Sequence, residues 1–402
     1  MLDLSRQYEK IRPEILAAVE RVCASSHYIL GEDVVAFESE LAAFTGAAAA
    51  VGCASGTDAL WLALVAAGIQ PGDAVVTTPF SFFASASAIV RAGARPVFAD
   101  IDPRTWNLDA TALAKTLRGE GRAKLRALLP VHLYGQCADI DALGELAEEF
   151  KLVVIEDAAQ AIGAEWSGKR AGAPKGGDAK AGASKAGALG AAAAFSFYPT
   201  KNLSAYGDAG AVTTMDVDWA EHLRRLRNHG SPRRYVHEEL GWNSRLDSMQ
   251  AAILRVKMRY IAEWNEARRE RAAVYDRLFD GTGLVSGPES AAKVQLPWRE
   301  PRARHVFHQY VVRVRRRDEL RAFLGERGVG SEVYYPIPLH LQSCFAYLGY
   351  REGDFPEAER AAREVLALPM FPELRLDEQE FVVAKIAEFF DSPRRHGDTE
   401  ET

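Results

Sequence analysis

Between about residues 50 and 215, short β-rich apolar runs alternate with stretches that carry apolar residues at three- and four-residue spacing, and this alternation constrains the fold more than any other feature of the chain. Parallel strands need a crossover between them, usually a helix, so the pattern predicts an α/β fold around a mainly parallel sheet. The predicted strands are Ala74–Thr78, Pro96–Ala99, Ala127–Val131, Leu152–Ile155, Ala193–Phe197 and Gly210–Thr214. The predicted helices between them include Thr57–Ala67, Ser81–Arg91, Asp139–Phe150 and Asp216–Arg227. Helices opened by Pro13 and by Glu32-Asp33 are expected ahead of this unit. From Ser244 to about Leu278 a helical period runs without a proline and predicts one long connecting helix. Beyond it, the alternating run HVFHQYVVRVR, helices at Asp318–Arg327, near Ala358–Leu366 and at Asp377–Phe390, and a YYPIPLH segment read as a compact α+β unit. At 402 residues the chain exceeds the usual limit of a single core, which suits a large part over 1–255 and a smaller one over 256–402.

Composition narrows the function classes. With 48% hydrophobic and 26% charged residues, and no apolar run long enough for a membrane span, the chain reads as an ordinary globular protein. The N-terminal MLDLSRQYEKIRPEIL lacks the pattern of a secretory signal, so the expected location is the cytoplasm, with no membrane partner. A net charge of −6 provides no whole-protein basic field for nucleic acid. Cys23, Cys53, Cys137 and Cys344 lie far apart with no C-x-x-C pair, which predicts buried thiols and no metal site. Residues 171–190, AGAPKGGDAKAGASKAGALG, gain little from burial and are expected to form a flexible surface insertion, or at most an Ala-rich helical turn. The terminal RRHGDTEET reads as a frayed tail.

Two positions stand out chemically. The strand at Leu152–Ile155 runs into Glu156-Asp157-Ala158-Ala159-Gln160, placing an acid at the carboxyl edge of a parallel strand, where ligands bind in open α/β sheets. By itself Asp157 also suits a helix N-cap. Lys201 follows the run Ala193–Phe197 inside FSFYPTKNLSAYGDAG, among aromatics, a proline and two glycines. Desolvation there lowers an amine's pKa toward the range where it attacks carbonyls, the chemistry of a Schiff base; the competing reading is a solvated loop lysine. Ser55-Gly56-Thr57 stands at a predicted helix start, where backbone N–H groups and a hydroxyl are available.

The stretches SGTDAL, IEDAAQAIGA, FSFYPTKNLSAYGDAGA, GWNSRLDSMQAAIL, YYPIPLHLQ and VLALPMFPEL, in this order, closely resemble the DegT/DnrJ/EryC1/StrS family of sugar aminotransferases over about residues 2–392. The resemblance implies an aspartate-aminotransferase-like fold (fold type I) with pyridoxal 5'-phosphate (PLP) as cofactor. It implies that Lys201 forms the Schiff base and shuttles a proton, that Asp157 faces the pyridine nitrogen, and that Gln160 lies near the phenolic edge of the ring. Phe82 matches an aromatic that stacks on the ring, the alternative being a core position on an amphipathic helix. Gly56, Thr57 and Ser196 match phosphate ligands. Asn243 matches one supplied by a neighbouring subunit, the alternative being an N-cap for the long helix beginning at Ser244. A homodimer with shared sites follows, in which the loop carrying Arg233, Arg234 and Tyr235 would grip the diphosphate of a nucleotide-sugar.

On the same resemblance the reaction moves an amino group from L-glutamate to a nucleotide-linked keto-sugar, at sugar carbon 3, with carbon 4 as the alternative. His308, Tyr335 and His340 are candidate substrate contacts, as are His132 and His229. Two departures from the family pattern are visible: the insertion at 171–190, and Tyr334 where many members carry histidine before Tyr-Pro. Rival readings are a sugar dehydratase of the same family, which replaces the Schiff-base lysine with histidine, and a regulatory relative without turnover; Lys201 speaks against the first. A Rossmann oxidoreductase lacks its GxGxxG fingerprint here.

Overall fold

The computed structural model describes residues 1–119, 124–171, 191–285 and 292–391; the stretch 172–190 and the RRHGDTEET tail lie outside them. In chain order the elements are α1 (Leu4–Ser25), α2 (Glu32–Thr45), β1 (Ala49–Cys53), α3 (Gly56–Ala66), β2 (Ala74–Thr77), α4 (Ala84–Arg91), β3 (Arg95–Phe98), α5 (Ala110–Arg118), β4 (Leu125–Leu129), α6 (Ile140–Glu149), β5 (Val153–Asp157), β6 (Glu165–Trp166), β7 (Lys169–Arg170), β8 (Ala192–Ser196), β9 (Gly210–Thr214) and α7 (Val217–Leu226). There follow α8 (Ser248–Met258), α9 (Ile261–Asp280), β10 (Ala303–Arg304), β11 (Tyr310–Arg313), α10 (Arg317–Glu326), α11 (Pro356–Glu364), β12 (Val365–Leu368) and α12 (Leu376–Asp391).

Seven strands form the central sheet in the order β1-β9-β8-β5-β4-β2-β3. All adjacent pairs from β8 to β3 are parallel, whereas β9 pairs antiparallel with both β8 and β1. Only β9 therefore runs against the other six. Residues of β2 and β9 are buried without alternation, as expected where both faces of a sheet are covered. One apolar cluster contains α3 and α7 residues such as Leu60, Leu64 and Leu223 and continues into Tyr310, Leu366 and Ile386 of the C-terminal part. A second holds Phe37 and Leu41 of α2 against Phe195 and Phe197.

The predicted strands and helices of the sheet unit are present within a few residues. The sequence reading did not name β1 or α5. Four expectations change. Pro13 lies inside α1, whose N-cap is Asp3, accepting from Ser5 N–H at 3.0 Å. The single helix expected from Ser244 is two: α8 starts after Asp247, whose carboxylate accepts from Gln250 N–H at 2.8 Å, and the chain breaks at Arg259-Tyr260 before α9. No proline or glycine marks that break. Tertiary contacts fix it, because Arg259 and Tyr260 both bond Glu14 of α1 and the Tyr260 ring stacks on Trp264 at 5.6 Å. The helix expected near Ala358–Leu366 stops at Glu364, and Val365–Leu368 instead pairs antiparallel with β11. Of the four cysteines expected to be buried thiols, Cys23 and Cys344 are exposed.

Candidate active site

Asp157 ends β5, and Ser196 ends the neighbouring parallel strand β8, so both emerge at the same edge of the sheet. Lys201 lies in the loop between β8 and β9, with its N–H on the Tyr198 carbonyl at 2.8 Å. The backbone around Asp157 is fixed on one side by β4: its N–H donates to Pro130 O at 2.8 Å and its carbonyl accepts from His132 N–H at 3.0 Å. Its carboxylate is buried and oriented as well. Ser85 Oγ–H of α4 donates to Oδ2 at 2.7 Å, and Ala159 N–H to Oδ1 at 3.2 Å. Ser81 Oγ lies 2.8 Å from Ser85 Oγ, and since Ser85 spends its proton on Asp157, Ser81 is the donor of that pair.

Electrostatics follow from this burial. Desolvation pushes the Asp157 carboxyl up from the usual carboxylate value, opposed by Ser85, by Ala159 N–H and by the charges of Lys201 and His132. Desolvation brings the Lys201 amine down to about 8, opposed by Asp157. The two groups thus lie within electrostatic reach of each other, and burial favours the neutral amine.

Ser196, at the end of the strand beside that of Asp157, meets the N-terminus of α3. Ser55 is its N-cap, accepting from Asp58 N–H at 3.1 Å, while Ala59 N–H bonds Ser55 O at 2.9 Å. The N–H groups of Gly56 and Thr57 have no partner among the described residues, as the first turn of a helix leaves them. Gly56 is pressed against Ser196: a Cβ there would sit 2.5 Å from Ser196 Cβ and 3.0 Å from its Oγ. Free N–H groups, a helix dipole and a hydroxyl thus converge where an anion such as a phosphate fits. Gly210, the first residue of β9, permits this packing, since a Cβ on it would lie 2.3 Å from Ser55 O.

Gln160 is engaged at both ends, accepting from Tyr134 N–H at 2.7 Å and donating Nε2–H to Tyr335 Oη at 3.0 Å. Phe82 precedes α4 and is 57% exposed, so the alternative of a core position falls; its ring lies 6.1 Å from that of Tyr335. His308 is buried and lies within electrostatic reach of Lys201. His132 is buried, its Nε2 2.8 Å from Glu156 Oε2 and its Nδ1 accepting from Ala138 N–H at 3.1 Å.

Other candidates stand apart from this group. His340 is buried with Nε2 3.0 Å from Glu359 of α11. Asn243 is exposed in a bridge with Asn228, and because Asp247 caps α8 it is not the N-cap considered above. Arg233, Arg234 and Tyr235 are exposed, with the Arg234 guanidinium 4.8 Å over the Tyr235 ring, and His229 is exposed too. Ser81 and Ser85, also missed from the sequence, carry one available signal: two hydroxyls four residues apart in an otherwise apolar segment face the same way. Among the described residues no group of three or more His, Cys, Asp or Glu is placed to hold a metal, and no helix is long and apolar enough to cross a membrane.

A mostly parallel sheet with a strand-end acid, a loop lysine and a helix N-terminus at one edge defines the class: this is the aspartate-aminotransferase-like fold of the type I aminotransferases. The chain belongs to the DegT/DnrJ/EryC1/StrS aminotransferase family, whose model matches residues 9–387. It is 50% identical to a protein of Geobacillus stearothermophilus named pleiotropic regulatory protein, covering 97% of this chain and 98% of that one. It is 43% identical to dTDP-3-amino-3,4,6-trideoxy-alpha-D-glucose transaminase of Streptomyces venezuelae, covering 96% and 95%. The crystal structure of S. venezuelae DesV in complex with a ketimine intermediate superposes with a TM-score of 0.87 at 41% identity, covering 98% of each chain.

Proposed function

We propose that the chain is a PLP-dependent aminotransferase that places an amino group on carbon 3 of a nucleotide-linked keto-sugar, with L-glutamate as donor. The observation that carries this reading is the pairing of Lys201 with the buried Asp157 within electrostatic reach, at the sheet edge where Gly56 of α3 packs on Ser196. When bound, PLP supplies an electron sink for breaking bonds at the amino-bearing carbon. Lys201 would hold it covalently, and its amine, brought down to about 8, is suited to taking up and returning a proton. Asp157 would keep a ring nitrogen protonated, its own orientation set by Ser85 and Ala159 N–H. Gly56, Thr57 and Ser196 would take the phosphate. Phe82 would cover one face of the ring and Gln160 its phenolic edge.

Carbon 3 is favoured by the activity named for the S. venezuelae relative. The same reading places His308 and Tyr335 toward the substrate, while His340, buried against Glu359, stands apart from it. It also makes the chain a cytoplasmic homodimer in which Asn243, Arg233, Arg234 and Tyr235 serve the partner's site, with residues 1–255 binding the cofactor and 256–402 forming the smaller part. The regulatory name of the Geobacillus relative favours a second reading, binding without turnover. Addition of L-glutamate to the purified protein separates the two: loss of the bound cofactor's visible absorbance with release of 2-oxoglutarate supports transamination, and an unchanged spectrum overturns it. A panel of 3-keto and 4-keto nucleotide-sugars, with products read by mass, then tests the carbon assignment.

A further inference from the structure

Next to Asp157 at the end of β5 lies a second buried carboxylate, Glu156, 2% exposed. Successive strand residues face opposite sides of a sheet, so Glu156 points away from the face that Asp157 serves. Val131 bridges to Asp157 in parallel register, and His132, one residue on, therefore shares the face of Glu156. There its Nε2 lies 2.8 Å from Glu156 Oε2. The other ring nitrogen decides where the proton is. Ala138 N–H donates to Nδ1 at 3.1 Å, so Nδ1 presents a lone pair, and the imidazole carries its proton on Nε2 and donates it to Glu156. A flipped ring would turn carbon atoms toward both partners. An imidazolium would set an N–H against the Ala138 N–H, so His132 can place a positive charge beside Asp157 only by breaking that bond.

Three connections meet at this residue. Its backbone N–H bonds Asp157 O at 3.0 Å, its Nε2–H bonds Glu156, and its Nδ1 closes the turn 132–138 on itself. Inside that turn Tyr134 N–H holds Gln160 by its Oε1 at 2.7 Å, and Leu133 N–H bonds Asn107 Oδ1 at 2.9 Å. The two side chains that follow β5 into the site, Asp157 and Gln160, are thus both tied to the segment that His132 fastens. We propose that His132 is a positioning residue, locked as the neutral Nε2–H form, which clamps Glu156 on the far face of the sheet and so fixes the aim of Asp157 and Gln160. Its side chain has no exposed surface for a substrate to touch. This inference rests on the proposed role of Asp157 for its consequence in the reaction; the place of the proton stands on geometry alone.

The test uses the full chain. In cofactor-free protein labelled with ¹⁵N-histidine, the His132 signals, assigned by their loss in His132→Gln, should show a protonated Nε2 and an unprotonated Nδ1. A proton on Nδ1 overturns the proposal. The clamp is read by the binding of two probes, pyridoxal phosphate and its analogue with carbon in place of the ring nitrogen, because only the first can pair with Asp157. Both keep the aldehyde, so attachment to Lys201 is common to them. Wild type should bind pyridoxal phosphate about 10-fold more tightly than the analogue. His132→Asn keeps an acceptor for Ala138 N–H and loses the bond to Glu156, and there the preference should shrink several-fold. His132→Gln reaches Glu156 with an N–H and should restore most of it. A preference in His132→Asn equal to wild type, or a loss shared equally by both probes, overturns the proposal. Should His132→Asn not fold, Glu156→Leu removes the same bond from its other end and is read in the same way. Failure of the Asp157 reading is seen separately, as no preference between the probes in wild type or in Asp157→Asn, and the ¹⁵N result then decides the place of the proton by itself.

Discussion

The carboxyl edge of the sheet and the loop from His229 to Asn243 carry candidate site residues on opposite plans. At the edge, Asp157 is held twice, by backbone bonds to Pro130 and His132 and at its carboxylate by bonds from Ser85 Oγ–H and Ala159 N–H. The loop is held by its stem and by short-range bonds of its own, such as Ser231 Oγ–H to Arg233 O at 2.6 Å and Glu238 N–H to Gly230 O at 3.0 Å. His229 N–H bonds Trp242 O at 3.0 Å, Trp242 N–H bonds Leu226 O at 2.7 Å, and Glu239 is clamped by Arg225 Nε at 3.0 Å with His222 Nε2 at 2.7 Å. Its tip faces outward, with Tyr235 81% and Leu240 87% exposed. The edge is therefore organised by contacts between distant segments, while the loop is organised mainly within itself and presents its side chains to the outside.

The sharpest way to break this contrast is Lys201→Ala. Turnover should fall by about 10³-fold or more while the thermal midpoint stays near wild type, since the lysine contributes chemistry rather than core. Asp157→Asn keeps the shape and loses the charge, with an expected loss of about 10²-fold in kcat at unchanged cofactor content; activity within a few-fold of wild type would remove Asp157 from its proposed role. Ser85→Ala deletes one hydrogen bond to a buried carboxylate and should cost about 10-fold, with Ser85→Thr restoring most of it.

On the loop, effects should be smaller and of another kind. Arg234→Ala with Asn243→Ala is expected to raise the KM for the nucleotide-sugar several-fold without moving the thermal midpoint, because neither side chain is buried. Mixing that double variant with Lys201→Ala should exceed the summed activity of the separate samples if sites are shared, since one site of each heterodimer then collects both lesions and the other none. Verified heterodimers with no added activity would assign the loop to its own subunit. The smallest expected change concerns pH. In cofactor-free protein the Lys201 amine should become reactive toward fluorodinitrobenzene as pH rises through about 8, below the ordinary lysine range, because burial disfavours the charged form. A midpoint near 10.5, the ordinary lysine value, would mean that the amine is solvated.

Much of the edge was legible in the sequence because its signals are local. Periodicity placed β5 and β8, and strand-end position then put Asp157, Ser196 and the Lys201 loop together. The family motifs added Gly56, Thr57 and Gln160, but gave no view of what surrounds them. Ser85, which bonds Asp157 from 72 residues away, and Asn202, which orients His308 from 106 residues away, could not be inferred from spacing. The break between α8 and α9 was hidden for the same reason, since its cause is Glu14, more than 240 residues distant in sequence.

What the sequence determined by itself is the α/β order, the lysine and acid at one sheet edge, and membership in the aminotransferase family. Those depend on short-range pattern: apolar period, turn chemistry and motifs in register. Only the tertiary structure decided which hydroxyl orients Asp157, which amide meets His308, and how closely Gly56 meets Ser196. Each depends on distances of about 3 Å between segments far apart in sequence, and such distances are fixed by packing, which no local pattern encodes.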